Sequence, residues 1–291
     1  MNRPLFLLLG TGTMLGLNFP LGKLAIAAGV NPALWAAVIS FGAGLTMFVI
    51  TTLESKSEKS SSLVKFSVIS GVLSYVVPNL LTYTVIPKIG SGLAAIMFAL
   101  SPVVTALLST VLRIRPPNKL VLTGIGFGLA GALVIISGRN ASIGKEAFYW
   151  LIAALLIPLF LGLGNVYRTF AWPEQASPRK LASSTNIAAV PFLLAAAFWQ
   201  NASLDFLPLL KIPGLVVLQL CVSTCMFLMF FRLQQIGCPT YLSQIGYVAA
   251  AVGLVIGVYY FGETYPLSVW LGAGIIAVGI GFSTWGQRRQ P

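Results

Sequence analysis

Ten apolar runs, each about 20 residues long and separated by short polar breaks, leave this chain few folds to choose from. They lie near residues 4–28, 32–52, 63–84, 90–112, 120–138, 147–171, 180–200, 213–232, 239–261 and 266–286. A helix rising 1.5 Å per residue needs roughly 20 residues to cross the ~30 Å hydrocarbon core of a bilayer. Each run meets that requirement. The breaks carry turn and charge chemistry, as in Glu54-Ser-Lys-Ser-Glu-Lys59, Arg113-Ile-Arg-Pro-Pro-Asn-Lys119 and Pro173-Glu-Gln-Ala-Ser-Pro-Arg-Lys180. Glycine and proline inside the runs do not argue against helix, because membrane helices tolerate both. Only 8% of the residues are charged, against roughly 25% in soluble domains, so water is excluded as the solvent of this surface. The expected fold class is all-α integral membrane, with ten transmembrane helices.

The net charge of +12 would suggest nucleic acid in a soluble chain. Here the basic residues fall between apolar runs, where they set membrane orientation instead. With the N-terminus in the cytoplasm, thirteen Lys and Arg fall on the inner side and five on the outer side (Lys23, Lys88, Arg139, Lys145 and Lys211). A multi-pass cell-membrane protein with both termini cytoplasmic is expected. The first run contains Asn18 and Lys23 and lacks a clear cleavage site, so it reads as a retained span and not a signal peptide. All six tryptophans lie within a few residues of a run end, the arrangement of an interfacial aromatic belt. Cys221, Cys225 and Cys238 have no disulfide or metal spacing and read as small packing residues. The patterns Asn140-Ala-Ser142 and Asn201-Ala-Ser203 read as chance matches to a glycosylation signal.

An internal repeat is visible. Gly16-Leu-Asn18 resembles Gly164-Asn165 at an offset of 147, as does Ile89-Gly90 against Ile236-Gly237. Gly124-x-Gly126-(x)4-Gly131 matches Gly272-x-Gly274-(x)4-Gly279 at an offset of 148. Two halves of five spans each, 1–143 and 144–291, follow. Five is odd, so the second half enters the membrane inverted, the architecture common among secondary transporters.

Together these landmarks resemble the EamA-type family of the drug/metabolite transporter (DMT) superfamily over nearly the whole chain. The resemblance rests on Gly16-Leu-Asn18-Phe19 with Lys23, Leu100-Ser101-Pro102-Val103-Val104-Thr105, Gly124 and Ala130-Gly131. In the second half it rests on Ile236-Gly237, Phe261-Gly262-Glu263, Gly272 and Val278-Gly279. It implies ten helices, export or exchange of small metabolites, and a central cavity lined by spans 1, 3, 4, 6, 8 and 9. Three positions depart from the pattern. Leu15 stands where tryptophan is frequent, Arg115 where glutamate is common, and Tyr247-Val248 where a Glu-Pro pair is common. The last departure falls at the expected cavity, so the substrate does not carry over.

Polar groups at membrane depth are costly and mark sites by default. Asn18 and Asn165 are repeat partners, and Asn79, Gln219 and Gln244 sit well inside other runs. An amide both donates and accepts, so it can orient a polar solute without charge. The alternative role is an interhelical bond. Tyr75, Tyr83 and Tyr247 add apolar walls ending in a hydroxyl; Asn79 and Tyr83 share one helix face, and Gln244 and Tyr247 another. The expected substrate-contacting set is therefore Asn18, Tyr75, Asn79, Tyr83, Asn165, Gln244 and Tyr247. Lys23 and Arg168 are candidates for attracting an anion, with snorkelling to the headgroups as the plainer reading. Pro102, mid-run, is a candidate hinge. Gly12-(x)3-Gly16, Gly124-(x)3-Gly128 and Gly253-(x)3-Gly257 read as close helix contacts.

The chain has no histidine, and its six acidic residues all fall in or near breaks. Membrane-embedded catalysis and proton relays both generally need such groups at depth, which disfavours an enzyme and points to exchange or downhill movement. Glu263 is the one candidate exception. A sensor or assembly subunit would need a signalling domain or long loop. The expected function is movement of a small metabolite, an amino acid or similar neutral solute, by alternating access, with small anions as the alternative substrate. No metal, cofactor or nucleic acid is implied; the partners are solute and lipid.

Overall fold

The computed structural model describes residues 3–54, 61–112, 119–140, 145–173, 176–201, 204–236 and 239–288, and every element among them is helical. In chain order they are α1 (Arg3–Ala27), α2 (Pro32–Glu54), α3 (Ser61–Gly71), a π-helical turn (Val72–Val76), α4 (Val77–Ile89), α5 (Ser91–Ala99) and α6 (Ser101–Val111). Then follow α7 (Lys119–Asn140), α8 (Lys145–Ala171), α9 (Pro178–Asn201), the single turn α10 (Leu207–Leu210), α11 (Pro213–Ile236), α12 (Pro239–Tyr259) and α13 (Leu267–Arg288). Among the described residues, six stretches are long and apolar enough to cross a membrane: Pro32–Thr51, Leu63–Ile89, Ser91–Ser109, Phe148–Arg168, Pro178–Asn201 and Pro213–Leu233. Leu122–Ile135, Ile245–Tyr259 and Leu267–Gly279 form shorter apolar helices.

Local chemistry sets the element ends. α1 stops in a Schellman arrangement: the Val30 N–H reaches the Ala25 carbonyl at 3.1 Å, the Gly29 N–H reaches Ile26 at 3.0 Å, and Gly29 adopts φ 89°. Asn31 then caps α2, its Oδ1 accepting from the N–H groups of Ala33 (2.8 Å) and Leu34 (3.1 Å). Within the 63–89 span, Pro78 has no N–H, and its ring would crowd the carbonyl four residues back. The π-helical turn Val72–Val76 lies where that conflict arises, with the Val77 N–H reaching back to the Val72 carbonyl. The fourth apolar run breaks at Leu100, so Pro102 is the second residue of α6. Its ring cannot sit in an uninterrupted helix without such a kink.

α1 packs on α11 and α12, α2 on α9, α5 on α12, α8 on α4 and α6, and α7 on α13. Several contacts depend on absent side chains. A Cβ on Gly12 would lie 2.4 Å from the Val248 Cβ, and one on Gly16 2.6 Å from the Val252 Cβ, so α1 and α12 touch backbone to side chain. Gly253 meets Ala95 of α5 in the same way, at 2.5 Å, and Gly128 of α7 meets Val103 of α6 at 2.8 Å. Lipid gives helices little reason to associate by hydrophobicity, so close packing of small residues supplies the attraction. Between α2 and α9 the Ser183 hydroxyl donates to the Gly44 carbonyl (2.9 Å).

Two expectations need correction. Trp35 is not an interfacial anchor: its ring is fully buried in protein, because the start of α2 is covered by the bundle instead of facing headgroups. Trp199, by contrast, is 90% exposed. Cys221 and Cys225 are exposed on α11 and do not pack. Gly237, Cys238 and Arg113–Lys119's Arg115 lie outside the described residues, as do Ala141, Ser142 and Ser203 of the Asn-x-Ser patterns.

Candidate functional site

A cavity of about 140 Å³, counted as space open to the centres of water-sized particles, lies between α1, α4, α5, α6, α8, α11 and α12. That is room for roughly five waters at about 30 Å³ each. Residues expected from the sequence meet there: Asn18, Tyr75, Asn79, Tyr83, Pro102, Asn165 and Arg168 all line it. Tyr247 is half-buried and does not line the cavity. The side chain of Gln244 lies outside the described residues. Thr11, Ser74, Thr82 and Ser101 are lining residues that sequence reasoning missed. Ser74, Pro78 and Thr82 repeat every four residues along the face that carries Tyr75, Asn79 and Tyr83, which was the available signal.

The two repeat-partner asparagines are held differently. The Asn18 Oδ1 accepts from the Gln219 Nε2, and its Nδ2 donates to the Met14 carbonyl at 2.8 Å. Gln219 is fully buried and also donates to the Ser223 hydroxyl (2.6 Å). Asn18 thus joins α1 to α11 while facing the cavity. The Asn165 Oδ1 accepts from the Arg168 Nη2 (2.6 Å), and its Nδ2 donates to the Thr105 hydroxyl (3.3 Å). No hydrogen bond from a described residue engages the amide of Asn79.

Arg168 is only 5% exposed. It sits in the last turn of α8, where the helix dipole favours a cation, and 5.6 Å from the Phe230 ring centre. The Tyr75 hydroxyl lies beside the guanidinium without completing a hydrogen bond, and the Tyr75 ring meets Phe227 edge to face at 5.2 Å. Among the described residues no carboxylate approaches Arg168 within ion-pair distance.

The end of the bundle where α1 finishes and α5 begins is held by Glu263. Its carboxylate pairs with Lys23 and accepts from the Tyr265 hydroxyl. It also accepts from the Ser91 N–H (2.9 Å), the Ser91 hydroxyl (2.8 Å) and the Gly92 N–H (3.0 Å), so it caps α5 as well. Burial opposes the charge, but Lys23, Tyr265 and the two N–H groups outweigh it and hold the carboxyl down at about 2. Lys23 is therefore not in the cavity lining; its ammonium is engaged by Glu263 and lies 4.3 Å from the Phe261 ring centre. Gly90 and Gly257 make room for the cluster. A Cβ on Gly257 would lie 2.5 Å from the Glu263 Oε2, and one on Gly90 2.8 Å from the Tyr265 hydroxyl, with φ at Gly90 already 89°.

No curated protein matches the chain in sequence. Its fold is similar to that of a solved crystal structure, with a TM-score of 0.64 at 17% identity over 96% of this chain and 97% of the other. Residues 2–137 match the model of the EamA-like transporter family. The match spans the first half of the chain, and its family belongs to the DMT superfamily; with the apolar spans, the chain is a multi-pass transmembrane protein whose first half is similar to EamA-like transporters.

Proposed function

We propose that this protein is a secondary transporter that carries a small metabolite by alternating access, using ten spans arranged as two inverted units, 1–143 and 144–291. The observation that carries the reading is the largely apolar cavity with a few polar groups on its wall, built from both halves, with the Glu263 cluster gripping three elements at one end. The helix pair α7–α13 supports the inversion. A Cβ on Gly131 would lie 2.6 Å from the Gly272 carbonyl oxygen, and one on Gly279 2.7 Å from that of Gly124. Gly124 and Gly272 are repeat partners, and so are Gly131 and Gly279. The contact is thus self-complementary, as a two-fold relation between units requires. Their partners Gly126 and Gly274 both face open space.

Two such units have two nearly equivalent ways to pack, one open to each side. Breaking the Glu263 cluster at one end while closing the other would move access to the Asn18–Asn165 cavity across the membrane. The amides and tyrosines favour a small solute with polar and apolar parts, such as a neutral amino acid, moved by export or exchange. The inner placement of both termini follows from the Lys and Arg distribution. Flux of labelled amino acids into proteoliposomes, with and without the same solute trapped inside, tests the reading. Accelerated uptake against the trapped pool supports it; no difference from protein-free liposomes for any solute in a broad panel defeats it.

A further inference from the structure

Around the cavity the Thr11 and Ser74 hydroxyls have no hydrogen-bond partner, and the Tyr75 hydroxyl and the Arg168 Nε have none beyond the approach of Tyr75 to the guanidinium. Buried polar groups in native proteins are almost always paired, so unpaired groups on the wall of a cavity can take a partner from a ligand held there. Arg168 sets the charge of that partner. It is the one charged side chain among the described lining residues, it cannot deprotonate at ordinary pH, and no carboxylate among the described residues pairs with it. Leaving a guanidinium buried without a counter-charge is expensive. The helix dipole, Asn165 and Phe230 offset part of that cost and leave the charge in place.

We infer that Arg168, with Tyr75 and the Thr11 and Ser74 hydroxyls, forms the head-group site for a singly charged organic anion, an apolar monocarboxylate. One cation and no second basic residue in the described lining match one negative charge better than a phosphate dianion. The planar fork of arginine suits a carboxylate, which takes two parallel N–H bonds. The hydroxyls donate to whichever oxygen the fork leaves free. The rest of the lining is apolar and aromatic, with Phe19, Phe98, Phe227 and Phe230 prominent, which suits a hydrocarbon or aromatic body. A zwitterion is disfavoured because the described lining offers its ammonium no carboxylate. The inference rests on the carrier reading for the cavity's role and replaces its neutral substrate with an anionic one.

The test is binding to the purified full chain in detergent, read by thermal midpoint and calorimetry. The probes are acetate, 3-methylbutanoate, benzoate, phenylacetate and indole-3-acetate, each against its neutral amide, with leucine and phenylalanine as zwitterions. At least one of the larger carboxylates is expected to bind roughly tenfold to hundredfold more tightly than its amide. Arg168→Gln should erase that preference, with the carboxylate losing far more affinity than its amide. Arg168→Lys, which keeps the charge and loses the fork, should retain part of it, and keeps the question open to measurement if the glutamine variant does not fold. The inference is overturned if no carboxylate beats its amide, if the zwitterions bind best, or if the preference persists in Arg168→Gln. Proteoliposome flux is separate: amino acids that move while carboxylates fail to bind would sink the anion site and leave the carrier standing. Carboxylates that bind through Arg168 in a protein with no flux of any solute would do the reverse.

Discussion

Replacing Glu263 with glutamine removes one negative charge from a cluster that joins the end of α1, the start of α5 and the α12–α13 connection. The wild-type carboxyl is held at about 2 against an ordinary 4.5. At about 1.4 kcal/mol per unit, that difference sets a ceiling of about 3 kcal/mol on what the charged form contributes. The Lys23 side chain is 28% exposed, so solvent screens part of the attraction, and about 2 kcal/mol is the working figure. Because the folded value lies below the unfolded one, the contribution is complete above pH ~4.5 and is lost as pH falls toward 2. The assay is the thermal midpoint of wild type and Glu263→Gln in the same detergent at steps from pH 7 to pH 2. Other carboxylates titrate in both proteins, so the gap between the two curves isolates this one. The expected gap is open and constant from pH 7 to about 5, then closes toward pH 2. A gap that never opens, or one that stays open at pH 2, would refute the account of how this end of the bundle is held.

Other expected outcomes follow from the same geometry. Gly16→Ala puts a Cβ 2.6 Å from the Val252 Cβ and 2.9 Å from the Ala249 carbonyl oxygen, and should cost about 1–3 kcal/mol of stability. Gly126→Ala, with nothing within 4 Å, should be neutral or stabilising by up to about 1 kcal/mol; both are read by thermal unfolding in detergent. A double-mutant cycle of Asn18→Leu and Gln219→Leu should give a coupling of about 1 kcal/mol, since the two amides bond each other at membrane depth. Independent losses would mean the pair does not join α1 to α11. Pro102→Ala should lower flux in proteoliposomes more than it lowers the thermal midpoint if the kink at Leu100 moves during the cycle. Equal loss of both would mark the kink as static.

Much of this molecule could be read from local pattern. Span length, the small-residue contacts of Gly12, Gly16 and Gly253, and the gathering of Asn18, Asn79, Tyr83 and Asn165 into one cavity follow from features within a few turns of chain. Each is a matter of which residues share a helix face, and faces are periodic. What escaped was pairing between distant segments. Lys23 and Glu263 are 240 residues apart, and each alone resembles an ordinary span-end charge. Nothing near Trp35 in the chain signals that its ring is enclosed, because the covering comes from other helices. Arg168 looked like a snorkelling residue for the same reason. It lies near a span end, and only the arrangement of α11 beside it, with Phe230 against the guanidinium, turns it inward.

The wide turn at Val72–Val76 has a consequence for every lining residue beyond it. One extra residue in a single turn rotates the following helix by about 100° relative to an uninterrupted α-helix. Asn79, Thr82 and Tyr83 thus reach the cavity through a phase offset created upstream of Pro78. Deleting one residue within that turn would leave the span's composition almost unchanged and swing those three side chains toward α-helical neighbours or lipid. Insertion of a second residue would overshoot the other way. The width of one helical turn acts as the vernier that aligns half of this span with the cavity.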